Sequence, residues 1–394
     1  MKTFKSYFYI ILLGMSLFLV AKESKAQTIN TPPRIAILAP LYLDSAFDNN
    51  NYKLGNTVIP KYILPGLDFY NGVMMAVDSL QKEGNDLDVW VFDIKKKNLS
   101  VDSLAAELAT HHFSLIIASF SNANEQKVFS QFSFNNNIPL VSATYPNDAY
   151  VTGNPFFIML NSTLKTHVEG IYKFIQRNYP VAKFLYVTRQ GSMEEKIMTM
   201  YADAGKKTYP IKYKTVALPD DFTAEQLLPL LDSNAQNVII CGSLDENFGS
   251  NLIKVLDQNI TFPISIAGSP TWDGLRATMH TENENVSIIY STPFNYAKSD
   301  FITANLTNQY RQQLNGRPSD MFFKGYESMY RFSKLLLKYN NDMLNNLSDN
   351  NFKISNTFLL QPVKLNITDQ LPAYIENKKL YFITRNLGKI VSVN

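Results

Sequence analysis

Cysteine is almost missing from this chain: Cys241 is the only one in 394 residues. No internal disulfide can form, so the fold must be held by core packing whatever compartment it occupies. Histidine is scarce as well. His111, His112, His167 and His280 are the full set, and none falls at the end of an expected strand, where the base for a thiol nucleophile would stand. Neighbouring His111 and His112 point different ways on a helix and cannot chelate as an i, i+4 pair does. An excess of either charge is absent too. Setting aside Lys2, Lys5, Lys22, Lys25 and Glu23 of residues 1–26, the 37 basic and 34 acidic residues fall to 33 of each. A balanced surface has no basic footprint for nucleic acid or an anionic membrane. Phosphate-cradling G-x-x-x-x-G-K and G-x-G-x-x-G loops do not occur, nor does the G-x-S-x-G hydrolase elbow. These absences lead to an expectation of no catalytic residues, no metal and no cofactor.

What is present begins with an address. "MKTFKSYFYIILLGMSLFLVAKESKA" carries two early lysines, an apolar stretch from Tyr7 to Val20, and the small-x-small run Ser24-Lys25-Ala26. It reads as a secretory signal peptide over residues 1–26, with the mature chain starting at Gln27 and exported out of the cytoplasm. No later segment is long and apolar enough to span a bilayer, which needs roughly 20 such residues, so the mature chain is expected to have no transmembrane segment.

After the leader, short apolar runs alternate with helical patterns. "RIAILAPLYL" starts a strand, "FYNGVMMAVDSLQKEG" is an amphipathic helix stopped by Gly84, and "LDVWVFDI", "FSLIIAS" and "IPLVSAT" continue the strand series. A helix follows with Ser162 as its expected cap. The rhythm then restarts with "AKFLYVT", "NVIICGS", "FPISIAG" and "NVSIIYST", followed by two long helical segments and a strand-like tail. Two runs of strand–helix alternation imply an α/β chain of two doubly wound parallel-sheet lobes with right-handed crossovers.

The order of "RIAILAPLYLDSA", "FYNGVMMAVDSL", "FSLIIASFSNANEQKVF", "NNNIPLVSATYP", "ISIAGSPTWDGL" and "FITANLTNQYRQQLNGRPSDMFFKGYESMYRFSKLL" resembles the type I periplasmic binding proteins. Within them it is most similar to the solute-binding proteins of ABC transporters for branched-chain amino acids and amides. The resemblance covers Arg34 to about Asn394. It implies two lobes with a central cleft and three interlobe crossovers near Asn161, Pro293 and Asn356. Lobe 1 is then residues 27–160 plus 294–357, and lobe 2 is residues 161–293 plus 358–394.

In open parallel sheets the ligand crevice lies outside the carboxyl ends of the strands. On lobe 1 that rule selects Ser119, Ser121 and Asn122 after "LIIA", and Ala143, Thr144 and Tyr145 after "PLVS". Hydroxyls and free amides at a helix start suit an anionic or polar group. On lobe 2 it selects Arg189, Gln190, Glu246, Asn247 and Trp272, the last as a wall or lid of the cleft. The resemblance assigns the ligand carboxylate to Ser119, Ser121 and Thr144. It sets Asn247 at the position where relatives carry the acid that meets an ammonium, with Glu246 one residue earlier. Cys241 ends a buried run and reads as inert core. Adjacent Asp245 and Glu246 read as dipole partners of a helix start. The expected function is capture of a small polar ligand, amino-acid- or amide-like, between two lobes for an ABC-type importer with a membrane permease as partner. The alternative is a non-transport accessory or sensory module of the same fold that contacts envelope proteins.

Overall fold

A computed structural model describes residues 31–55, 59–296 and 300–394. The expected leader and the start at Gln27 lie outside these residues. In chain order the first elements are β1 (Arg34–Ala39), α1 (Leu43–Ala46), the hairpin strands β2 (Phe47–Asp48) and β3 (Asn51–Tyr52), α2 (Leu64–Lys82) and β4 (Asp88–Asp93). Next come α3 (Val101–Ala109), β5 (Leu115–Ala118), α4 (Ala123–Asn136), β6 (Leu140–Ser142) and β7 (Phe157–Met159). The chain continues through α5 (Leu164–Asn178), β8 (Lys183–Thr188), α6 (Ser192–Lys207), β9 (Tyr213–Ala217), α7 (Ala224–Leu227), β10 (Asn237–Cys241), α8 (Glu246–Asn259), β11 (Ile264–Ala267) and β12 (Val286–Thr292). It ends with α9 (Phe301–Leu314), α10 (Asp320–Tyr339), β13 (Leu360–Val363), β14 (Tyr374–Asn377), β15 (Tyr381–Asn386) and β16 (Lys389–Val393).

The strands form two 7-stranded sheets, ordered β13-β14-β7-β6-β5-β1-β4 and β16-β15-β12-β11-β10-β8-β9. Pairing is parallel except where β13 meets β14, β15 meets β12 and β16 meets β15. Central strands such as β5 ("LIIA") and β10 ("NVIIC") are buried along their whole length. Sheets covered by helices on both faces need such runs, because neither set of side chains reaches water. In the first lobe, α2, α9 and α10 cover one face and α3 and α4 the other. In the second, α8 covers one face, and α5 and α6 the other.

The chain leaves the first sheet after β7 and returns to it after β12. The third crossing corrects the sequence reading. It was expected near Asn356, but β13 and β14 belong to the first sheet and β15 to the second. The crossing therefore lies at residues 378–380, and residues 358–377, assigned to lobe 2, belong to lobe 1. The expected cap of α5 is corrected as well. Thr163, not Ser162, accepts from the Thr166 amide, while the Ser162 hydroxyl donates to the Asn377 carbonyl at 2.6 Å.

Two glycines set how the C-terminal helices seat on lobe 1. A Cβ on Gly72 of α2 would lie 2.0 Å from the Phe322 carbonyl oxygen, and one on Gly325 of α10 would lie 2.2 Å from the Phe69 carbonyl oxygen. Each helix thus needs a missing side chain where the other's backbone passes. Hydroxyl bonds flank the contact, from Tyr326 to Ser79 at 3.2 Å and from Tyr330 to Glu83 at 2.7 Å. Because backbone cannot give way as a flexible side chain does, Gly72→Ala and Gly325→Ala should each lower unfolding free energy by about 1–3 kcal/mol or more. Gly274 is the control: its φ is −96°, a Cβ there would meet nothing within 4 Å, and it should tolerate alanine. Urea denaturation of the three variants checks this; equal stabilities would contradict it.

Candidate functional site

The carboxyl ends of both sheets face each other, and a cavity of about 440 Å³ opens between them. Lobe 1 contributes Tyr145, Asn147 and Lys324; lobe 2 contributes Met193, Leu244, Thr271 and Asp273. The crossings themselves supply Asn161, Ser162, Pro293 and Phe294. Asn161 is held by its amide, which donates to the Thr144 carbonyl at 2.8 Å. A larger hollow of about 930 Å³ is lined by lobe 1 residues alone, including Leu41, Phe47, Tyr52, Ile63 and Leu67. The described part of the loop 43–66 walls that hollow, and none of it lines the interlobe cavity.

Of the expected lobe 1 contacts, Tyr145 lines the interlobe cavity. The Ser119 and Thr144 hydroxyls turn toward each other at 3.2 Å, and Thr144 also donates to the Phe120 carbonyl. Ala143 is buried in the core. The donors of Ser121 and Asn122 are occupied from within. Glu125 accepts from the Ser121 amide at 2.8 Å, from its hydroxyl at 3.0 and 3.1 Å, and from the Asn122 side-chain amide at 2.8 Å. Lys95 pairs with the same carboxylate at 2.5 Å. The helix start expected to cradle an external carboxylate holds one of the protein's own.

Lobe 2 departs further from expectation. Arg189 is neutralised by Asp220 and Asp245, each at 3.1 Å, with Glu194 at 3.6 Å. With Gln190 it lines a separate groove at the ends of β8 and β9. Glu246 and Asn247 are exposed in the first turn of α8, just past cavity-lining Leu244. Trp272 is corrected from cleft wall or lid to core: it is 0% exposed, and its ring fills the space over Gly268 and Gly249. Its large apolar area favours that burial, and the anchored turn leaves the next residue, Asp273, on the cavity.

Lys324 and Asp273 are the residues that sequence reasoning missed. Each had a signal: Lys324 is the one cation inside the aromatic run "MFFKGYESMY", and Asp273 directly follows the strand-end Trp272. The Lys324 ammonium sits 4.5 Å from the centroid of the Phe294 ring, within cation–π range. Burial lowers its pKa, while Asp320 and Asp273 pull the other way.

The structure leaves Cys241 without a base. Burial pushes its thiol up to about 12, and its sulfur faces the Ser243 carbonyl at 3.8 Å. His167 shares a small void with it, but the imidazole Nδ1 is engaged with the Ser291 hydroxyl at 2.8 Å. Burial holds that histidine at about 4, against a rise from nearby Glu376. With the proton so strongly favoured on sulfur, a thiolate–imidazolium pair does not form.

No family model and no curated protein matches the chain. Solved structures do. Isoleucine-bound LivJ of Streptococcus pneumoniae, a branched-chain amino acid transporter substrate-binding protein, is 14% identical with a TM-score of 0.53, covering 92% of this chain and 99% of its own. A leucine-bound ABC transporter substrate-binding protein of Desulfitobacterium hafniense is 11% identical at TM-score 0.58, covering 92% and 100%. A branched chain amino acid ABC transporter periplasmic ligand-binding protein of Burkholderia xenovorans is 10% identical at TM-score 0.60, covering 92% and 95%. This chain has the type I periplasmic binding fold. Two of the three crossings supply residues to the lining of the interlobe cavity. No helix among the described residues is long and apolar enough to cross a membrane.

Two outcomes follow from the buried pair. Native protein at pH 8 should resist iodoacetamide at Cys241 while urea-unfolded protein reacts, as mass spectrometry will read; rapid native labelling would contradict the burial. His167 has a folded value below its unfolded value near 6.5. The unfolded chain therefore takes up the proton first as pH falls, and stability is lost between pH 6.5 and about 4. Relative to His167→Gln, the wild type should lose about 2 kcal/mol of unfolding free energy between pH 7 and pH 5. Parallel pH curves for the two proteins would contradict a neutral buried imidazole.

Proposed function

We propose that this chain is an extracytoplasmic solute-binding protein that captures a small polar ligand, amino-acid- or amide-like, between its two lobes and delivers it to an ABC-type importer. The observation that carries this reading is the cavity of about 440 Å³ lined at once by both lobes and by the crossings. A ligand there touches both rigid bodies, and only differential contact with the closed state shifts an open–closed equilibrium. The leader-like residues 1–26 support export to the periplasm. The ligands named for solved structures of this fold, isoleucine and leucine, support the amino-acid class. Tyr145 is assigned to the lobe 1 wall, with Thr144 behind it fixing Asn161. Glu246 and Asn247, free at the start of α8, are assigned to the ligand on closure.

One observation favours a second reading, an accessory module of the same fold that contacts envelope proteins. In the lining of the apolar lobe 1 hollow, Leu43 is 47%, Tyr52 43% and Phe47 40% exposed, and exposed apolar surface gathered in one patch marks a site of contact.

A thermal-shift screen of amino acids and small amides separates the two. A ligand at 100 times its dissociation constant adds about 2.7 kcal/mol to folding stability, so the transport reading expects at least one compound to raise the melting temperature by a few degrees. A flat response across the screen supports the accessory reading.

A further inference from the structure

The hollow of about 930 Å³ on lobe 1 differs in chemistry from the interlobe cavity. The end of β1 supplies Leu41, edge strand β4 supplies Val91, α1 and the β2–β3 hairpin supply Leu43, Phe47 and Tyr52, and α2 supplies Leu67. Among the described residues no charged side chain lines it. The polar backbone there is engaged as well: the Asp93 carboxylate accepts from the amides of Leu41, Tyr42 and Leu43 at 2.9, 3.2 and 2.8 Å. An occupant therefore meets few hydrogen-bond partners and is held by burial of apolar surface. The volume is that of a small-molecule site, since ligand pockets run from roughly 300 to 1,000 Å³.

Lysines gather beside this hollow. The Lys53 ammonium donates to the Asp44 carbonyl at 3.0 Å, and the Lys97 amide donates to the Asp44 carboxylate at 2.9 Å. Both bonds fasten lysines to α1, whose Leu43 and Ala46 line the hollow. Lys61 and Lys96 are exposed in the same two segments. Among the described residues none of these four makes an ion pair within 4.0 Å, whereas Lys95 is already paired with Glu125. The acids of these segments are Asp44, Asp48 and Asp93, and Asp93 is engaged with backbone amides. Four lysines thus stand against two acids around an uncharged chamber, an arrangement complementary to an apolar chain with a negative head. We infer that the lobe 1 hollow is a second binding site, for a single-chain amphiphile of the long-chain carboxylate class, with the chain in the hollow and the carboxylate among Lys53, Lys61, Lys96 and Lys97. The site gives the exposed apolar surface of lobe 1 an occupant other than an envelope protein. No lobe 2 residue lines it, so its occupancy is independent of what the interlobe cavity holds.

The test is calorimetric titration of the protein with octanoate, decanoate and dodecanoate, each below its micelle-forming concentration. One site should fill, and affinity should rise about two- to fourfold with each added methylene, the gain expected for a buried CH₂. Dodecyltrimethylammonium, with the same chain and the opposite head charge, should bind at least threefold more weakly at low salt, and the gap should narrow as salt screens the lysines. Phe47→Asp places a charge in the lining at an exposed position and should weaken dodecanoate at least tenfold. Lys53→Gln combined with Lys97→Gln should weaken dodecanoate several-fold without weakening the trimethylammonium compound. The chain-length series and the comparison of head groups on wild type decide the matter if a variant fails to fold. Absence of binding by all three carboxylates overturns the inference, as does affinity indifferent to chain length, to head charge or to Phe47→Asp. If the protein cosediments with phosphatidylglycerol vesicles yet takes up no monomeric dodecanoate, the hollow is a membrane-docking face and the inference fails.

Discussion

One buried carboxylate joins the first crossing to the third. Glu376, at the end of β14, accepts from the Thr163 amide at 2.8 Å, the Thr163 hydroxyl at 2.9 Å and the Thr166 hydroxyl at 2.6 Å, and it pairs with Lys378. Burial alone would raise its pKa, but Lys378 and these donors outweigh that and hold it low. The geometry explains why the charge is tolerated: a buried ion destabilises unless its lone pairs are met, and here they are. Thr163 and Thr166 open the first helix of lobe 2, whereas Glu376 closes the last strand of lobe 1 to be reached before the third crossing. Neighbouring Asn377 extends the clamp by donating to the Leu160 carbonyl at 3.1 Å and accepting from the Leu359 and Lys379 amides at 3.0 Å. The second crossing is fastened separately, as Asn356 accepts from the Asn295 amide at 2.6 Å and binds buried Glu327.

With the crossings fixed, the lobes share the cavity of about 440 Å³, and its character follows from which charges are already satisfied. Lobe 1 uses its helix-start donors on Glu125, and lobe 2 uses Arg189 on its own acids. These internal pairings rigidify the cleft walls but remove two anion sites. On the side of the crossings, α10 and the Trp272-anchored turn contribute Lys324 and Asp273 to the cavity lining. The same α10 is locked to α2 through Gly72 and Gly325, so the lobe 1 face of the cavity is carried by a closely packed helix pair rather than by a loop.

Much of the architecture was legible because buried parallel strands are unbroken apolar runs: "RIAILA", "LIIA", "NVIIC" and "ISIA" could be little else. The third crossing was not legible. "LQPV" and "YIEN" read as part of one strand-like tail, and only the pairing of β14 with β7 assigns them to lobe 1. For the site, position in the fold was readable but side-chain commitment was not. The spacing Asn122-x-x-Glu125 is that of a capping box, a local signal that the lobe 1 donors would be consumed internally. Trp272 failed for the opposite reason, since whether a strand-end aromatic faces the cleft or the core depends on Gly249 and Gly268, which are distant or ambiguous in sequence. Lys324 and Asp273 are far apart in the chain and come to one cavity only through the apposition of the lobes.

If the cleft closes on a ligand, an interlobe distance reads that closure directly. Nitroxide labels at Lys127→Cys on α4 and Lys254→Cys on α8, both exposed positions, in a Cys241→Ser background report that distance by double electron–electron resonance. Saturation with an amino acid that stabilises the chain should narrow the distribution and move it to shorter distances. A distribution identical with and without saturating ligand would contradict a two-lobe closure mechanism.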